Sequence, residues 1–457
     1  MSDRARVTLE ILRPAAGGES LAHHDGRTVF VAGALPGETV EAEITGESRR
    51  VLRARTITVR ESSPHRVADR RIALGVPGAG GLEFAHVALG HSRTLKEQAA
   101  ADQLSRIGGV DPVRVGLRVL PAPTESAAVR GEGDDADDEA SAGTRWRTRV
   151  QSAVDAHGRL GMLAPGSHTV VPYGAGVVPL AVDEVNALGL TDLRLPGVTR
   201  VEVAVGHRSG AVVLRGPAAH DRAEAVIERA REWAGEWSIL AGGRDGARRR
   251  GGRAGRGARN RGGGSAQVTS IVSGDGRVCE RVPGIERALT VRGDGFWQVH
   301  RDAAGVLVEQ VRSAVGDPGD GTVLDLYCGA GLLGIGLAER GHRVAGIEGS
   351  AQAVADAVAN SRGLTARFDV GRVEDAASFA DARTAVLDPP RTGAGPAVVD
   401  ALVASGVERI VHVSCDGATL SRDLARLVAG GFRVSSVVAH DLFPLTGHLE
   451  FVAVLDR

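Results

Sequence analysis

The chain has 457 residues, too many for one ordinary domain, and its 55 basic residues balance 56 acidic ones, which excludes a globally basic surface. Three cysteines, Cys279, Cys328 and Cys415, exclude a disulfide scaffold and offer no Cys-x-x-Cys zinc pair. No run approaches the ~18 apolar residues of a membrane span, and no apolar signal core follows Met1, so a cytoplasmic protein with no membrane partner is expected.

Residues 6–60 read as short strands: Arg6–Leu12, Thr28–Ala32, Thr39–Ile44 and Val51–Val59. Gly17-Gly18, Asp25-Gly26 and Leu35-Pro36-Gly37 separate them as turns, and the pattern predicts a small β-barrel. The string HHDGRTVFVAGALPGETVEAEI resembles the TRAM domain, an oligonucleotide-binding-type barrel that binds RNA. After a glycine-rich hinge at Pro77–Gly81, His91–Ile107 has the spacing of an amphipathic helix. It carries Lys96, the one lysine of the chain; arginine supplies every other basic residue, a bias that a GC-rich genome produces.

Two segments have nothing to bury. Residues 125–143 are acidic and expected to be disordered. Residues 241–266 carry eight arginines against one aspartate among glycines, and read either as an RNA-tracking arm or as a tolerated linker. Between them, 144–240 alternates strand and helix patterns. Arg145-Trp146-Arg147-Thr148-Arg149 reads either as cations around a base-stacking aromatic or as a basic strand edge with a packed tryptophan.

From residue 286 the alternation of buried strands and helices predicts a doubly wound α/β sheet. Thr322–Tyr327 is its first strand, followed by the glycine turn Gly329-x-Gly331-x-x-Gly334, a helix at Ile335–Arg340, and a strand Arg343–Ile347 closed by Glu348. A carboxylate there can bind two ribose hydroxyls, which suits a dinucleotide or S-adenosylmethionine equally. Strand Ala385–Leu387 ends in Asp388-Pro389-Pro390-Arg391, a rigid turn that holds Asp388 at the carboxyl edge of the sheet. Strand Arg409–Val413 delivers Cys415 to the same edge, among polar neighbours, as a candidate thiolate nucleophile. Cys328, inside the glycine turn, reads as packing.

The segments DLYCGAG, LDPPRTG, VSCD and LFPLTGHLEFVAVL, with GFWQVH at 295–300, resemble in order the motifs of the RNA (uracil-5-)-methyltransferase family. The resemblance implies a multi-domain α/β protein: a TRAM barrel over 1–62, an α+β central RNA-recognition domain over 63–285, and a Rossmann-like methyltransferase domain over 286–457. It implies S-adenosylmethionine as cofactor, with Gln298, Tyr327, Gly329, Gly331, Glu348 and Asp388 binding it. Cys415 matches the nucleophile that adds to carbon 6 of uracil, and Glu450 the base that removes the carbon-5 proton; His448 is a rival base. Many relatives hold an iron–sulfur cluster on cysteines of a segment that here reads Gly78-Ala79-Gly80-Gly81-Leu82, so no cluster is expected. The family's asparagine two residues after the cofactor glutamine is His300. The expected partner is RNA, ribosomal RNA before transfer RNA, and the expected state is a monomer. An idle RNA-binding protein and a nicotinamide oxidoreductase are the rival readings.

Overall fold

Asp25 and Gly26, with φ of 47° and 71°, turn the chain tightly enough to pair Glu19–His24 with Arg27–Ala32 in a hairpin. The computed structural model describes residues 5–125, 141–174, 176–243, 269–375 and 382–457. In the N-terminal six-stranded sheet the order is Arg6–Glu10, Thr39–Glu47, Val51–Glu61, Arg27–Ala32, Glu19–His24, Arg13–Pro14. Alternate residues point inward, so Leu9, Val29, Val31, Val40 and Leu52 bury together as the barrel core. Glu38, the last residue of the Leu35–Glu38 turn, is buried and staples this barrel to the chain that leaves it at Ser63–Arg66. Its carboxylate accepts from the Leu35 and Ser63 amides at 2.8 and 3.2 Å and from Arg66 Nε and Nη2 at 2.6 and 2.7 Å. Burial alone would raise its pKa; Arg66 and the two amides outweigh that and hold it low.

The expected helix runs over Leu89–Arg106 and packs against helix Gly417–Ala429 of the C-terminal half. Val119–Pro121, from within the span read as central, pairs in parallel with Arg433–Asp441 and so extends the C-terminal sheet. The central sheet has seven strands, antiparallel except where Ser209–Arg215 pairs with Glu236–Gly242 across helix Ala219–Ala230.

Both low-complexity segments are narrower than their composition suggests. Glu125 ion-pairs with Arg93, and the Gly143 carbonyl accepts from Trp146 Nε1 at 3.0 Å, so the ends of 125–143 are ordered. Ala241 and Gly242 belong to strand Glu236–Gly242. The remainder, 126–140 and 244–266, lies outside the described residues. Trp146 is only 3% exposed, packed with Leu180 and Leu445, so it cannot stack on a base.

The C-terminal sheet has eight strands in the order Ala366–Val370, Arg343–Glu348, Thr322–Leu326, Ala382–Leu387, Arg409–Ser414, Glu450–Asp456, Arg433–Asp441, Val119–Pro121. Of these only Glu450–Asp456 runs against its neighbours. The order reverses beside Thr322–Leu326, and open α/β sheets bind ligands at the crevice such a reversal leaves. The helix after the glycine turn spans Leu332–Ala338, three residues earlier than its expected start, because Gly331 caps it with φ 89°. Among the described residues no helix is long and apolar enough to cross a membrane.

Candidate active site at the carboxyl edge of the C-terminal sheet

Strand register places the site. Leu326 pairs with Ile347 and with Leu387, so the next residues, Tyr327, Glu348 and Asp388, leave the sheet side by side. Ser414 pairs with Phe451 in antiparallel register, so Cys415, one residue on, comes opposite Glu450, one residue back. The edge thus reads Glu348, Tyr327, Asp388, Cys415, Glu450 across five neighbouring strands.

At the Glu348 end the backbone is shaped for a ligand. Tyr327 holds φ 65°, an uncommon conformation for a side-chain-bearing residue, and its hydroxyl donates to the Ala394 carbonyl at 3.2 Å. Gly329, φ 53°, has open space where a Cβ would stand, while its amide donates to Glu348 at 3.3 Å. Asp325 lies beneath, 1% exposed: Oδ2 accepts from the Gly334 amide at 2.8 Å and Oδ1 has no partner. Burial, opposed by that amide, pushes its pKa up to about 7. An open glycine turn, a carboxylate at the second strand tip and an orphaned carboxylate oxygen fit an adenosine-bearing cofactor. A Cβ on Gly334 would stand 2.6 Å from Asp325 Oδ2. Gly334→Ala is therefore expected to cost about 2 kcal/mol and to weaken cofactor binding, read by thermal unfolding with and without S-adenosylhomocysteine. An unchanged cofactor-induced shift would contradict it.

The other end carries acid–base groups. Glu450 is 4% exposed; burial and then Asp388 push its pKa well above the carboxylate range, with Arg391 opposing. Burial raises Asp388 to about 6, His412 opposing. The Cys415 thiol is pushed up to about 11 by burial and by Glu450, and Arg391 pulls it down. Arg391 is exposed and has no ion-pair partner among the described residues, so it is the free cation of this edge. Its loop is anchored by Asp423, which accepts from the Ala394 amide at 2.8 Å and from the Gly395 amide at 3.3 Å, with His412 Nε2 at 3.3 Å.

A cavity of about 120 Å³ opens on Cys415 and is lined also by Gly17, Lys96, Gln103, Gly447 and His448. The barrel turn at Gly17 therefore forms one wall, and a Cβ on Gly447 would stand 2.4 Å from the Gly17 carbonyl carbon. His448 is exposed here, edge-on to Phe443 at 6.0 Å. Gln298 sits apart, half-buried in the loop before helix Ala303–Val315, its carboxamide bonded to no described residue. That loop is strapped to the segment leading into strand Arg149–Val154: Thr148 N donates to the Val299 carbonyl at 2.9 Å, and the His300 ring stacks on Trp146 at 5.4 Å. His300 is buried, pushed down to about 4, and accepts from the Asp302 amide at 3.0 Å, so it holds the loop. Cys328 is buried under the glycine turn, consistent with packing.

Sequence reasoning had no signal for Asp423 or the Gly17 wall, and for Lys96 only its being the one lysine, because each acts through residues far away in the chain.

A barrel joined to a doubly wound sheet with this glycine turn and acidic tip is the architecture of an enzyme that binds an adenosine-bearing cofactor. Family models for the TRAM domain and for tRNA (uracil-5-)-methyltransferase match residues 3–57 and 372–457. An uncharacterized RNA methyltransferase of Streptomyces coelicolor is 34% identical over 98% of this chain and 92% of its own. The 23S rRNA (uracil(1939)-C(5))-methyltransferase of Alkalilimnicola ehrlichii is 30% identical over 96% of this chain and 94% of its own. The tRNA (uracil-54, C5)-methyltransferase of Pyrococcus abyssi, solved with S-adenosyl-L-homocysteine, shares the fold at TM-score 0.68 and 20% identity, covering 98% of this chain and all of that one. The chain belongs to the TRAM-containing RNA (uracil-5-)-methyltransferase family, and S-adenosylmethionine is its cofactor.

Proposed function

We propose that the protein methylates carbon 5 of a uridine in 23S ribosomal RNA through a covalent Cys415 adduct. The observation that carries this reading is the register that sets Cys415 opposite Glu450 with Asp388 beside them. Carbon 5 of uracil is a poor nucleophile. Addition of the Cys415 thiolate to carbon 6 forms an S–C bond and moves the ring's electron pair to carbon 5 as an enolate. S-adenosylmethionine, when bound, supplies the methyl group. Glu450 then takes the carbon-5 proton, the S–C bond breaks, and the ring double bond and the Cys415 thiolate return.

Arg391 favours thiolate formation by its charge. Glu348, Tyr327, Gly329, Gly331, Asp388 and Gln298 are assigned to the cofactor; the open face of Gly329 and the carboxylate of Glu348 support that end of the assignment best. Gln298 has no hydrogen bond to the other described residues. The target base has to leave its stack to meet Cys415. Because one chain supplies the barrel wall, the helix and the sheet edge, the site is complete in a monomer.

Ribosomal RNA is favoured by the Alkalilimnicola relative, which matches nearly end to end, whereas the likeness to the Pyrococcus enzyme speaks for fold alone. Transcripts carrying each target in vitro decide it: kcat/KM should be at least about tenfold higher on 23S rRNA than on tRNA, and the reverse order would overturn the ribosomal reading. The arginine-rich segment is assigned to backbone contact. Deleting 244–266, which spares strand Glu236–Gly242, should weaken RNA binding and flatten its salt dependence. An unchanged salt slope would make the segment a bland linker.

A further inference from the structure

Lys96 is the one lysine among 55 basic residues, in a chain whose composition has replaced lysine with arginine everywhere else. It is also among the most buried charged groups, its side chain 2% exposed against 0% for its partner Asp441. From the middle of helix Leu89–Arg106 its ammonium reaches three acceptors on one connection: Asp441 Oδ1 at 2.6 Å, the Phe443 carbonyl at 3.1 Å and the His448 carbonyl at 3.1 Å. Asp441 ends strand Arg433–Asp441 and Glu450 begins the next, so these bonds span both sides of the hairpin loop that delivers Glu450. All three ammonium donors are used.

Other residues hold the same loop from outside. The Leu445 carbonyl accepts from the Phe84 amide at 2.9 Å, Glu83 accepts from the Gly447 amide at 3.2 Å, and Leu445 itself has φ 63°. A loop bent into that shape needs a compact cation with converging donors. A flat guanidinium, wider and with divergent donors, cannot reproduce the three contacts in the same space.

We propose that Lys96 is a positioning residue for proton removal: it fixes the Leu442–Leu449 loop so that Glu450 faces carbon 5, the neighbour of the carbon bound to Cys415. The proposal rests on the covalent reading above. The Lys96 side chain lines the Cys415 cavity, but its three donors are spent on the loop, so Lys96 is assigned no hydrogen bond to the base or the cofactor, and the role explains why lysine persists at this one position.

The test is Lys96→Arg, which keeps the charge, in the full-length enzyme with a 23S rRNA transcript and S-adenosylmethionine, beside Glu450→Gln. Turnover should fall about a hundredfold, the scale of an ångström's misplacement at a reacting centre, with RNA affinity within about threefold. The methylated Cys415–RNA adduct, stable in denaturing gels, should accumulate in Lys96→Arg as in Glu450→Gln. A helix-docking role alone would lower all steps together and trap nothing. Turnover like wild type overturns the proposal, as does slow turnover without adduct while Glu450→Gln traps it. Adduct in neither variant overturns the Glu450 reading and this proposal with it. If Lys96→Arg does not fold, Asp441→Asn removes the ion pair at nearly constant shape and has to give the same trapped adduct, or the proposal falls.

Discussion

Replacing Cys415 with alanine is expected to lower methyl transfer at least about 10⁴-fold while RNA affinity stays within about threefold. The asymmetry comes from where the thiol sits. Cys415 stands at one strand tip, opposite Glu450, and contributes one sulfur to a cavity whose other walls come from the barrel turn, helix Leu89–Arg106 and the Gly447 loop. Removing it leaves those walls intact and the carbon-6 addition without its nucleophile. Burial and Glu450 push the thiol up to about 11, so the thiolate is a minor form at pH 7. The rate of adduct formation should therefore rise about tenfold per pH unit between roughly pH 7 and 9, read by quenching onto denaturing gels. A flat profile would mean that RNA and cofactor binding preform the thiolate; wild-type turnover by Cys415→Ala would remove the covalent mechanism altogether.

Glu450→Gln is expected to slow turnover about 10³-fold and to trap the protein–RNA adduct. Glutamine keeps the size and hydrogen-bonding reach of the side chain but cannot take a proton. The fold should tolerate it well. Glu450's pKa is raised by burial and by Asp388, so wild-type stability is fullest where the carboxyl is protonated and is lost as pH rises through that raised value. Glutamine carries no such loss, so the variant should unfold at a higher temperature than wild type at pH 8 and differ little at pH 4. Absence of the adduct with full RNA binding would pass the base's role to His448, whose ring faces the same cavity; His448→Ala would then trap it.

Much of this edge was legible because motif and topology coincide. A strand tip followed by Asp-Pro-Pro-Arg, and another followed by Cys-Asp, can point only to the carboxyl edge in a parallel sheet, and register did the rest. The barrel was legible where strands alternate. Glu19–His24 was missed because its two histidines, glutamate and serine carry little strand propensity; it forms because the Asp25-Gly26 turn folds it onto Arg27–Ala32. Val119–Pro121 was missed as three residues ending in proline, a pattern only an edge strand tolerates. Trp146 reads equally well as a stacking platform or a core residue until Leu180 and Leu445 are seen around it. Lys96 and Asp423 left no local trace, since their partners lie 345 and 29 residues away. Long-range polar anchoring is what single-sequence periodicity cannot report.

The central claim is a methyl group on carbon 5 of one ribosomal uridine. Its most direct measurement is mass-spectrometric nucleoside mapping of ribosomal and transfer RNA from a strain lacking the protein, beside its parent. One 5-methyluridine should vanish from 23S rRNA, return with the wild-type protein and stay absent with Cys415→Ala. A 5-methyluridine lost from transfer RNA instead, or none lost from either RNA, would contradict it.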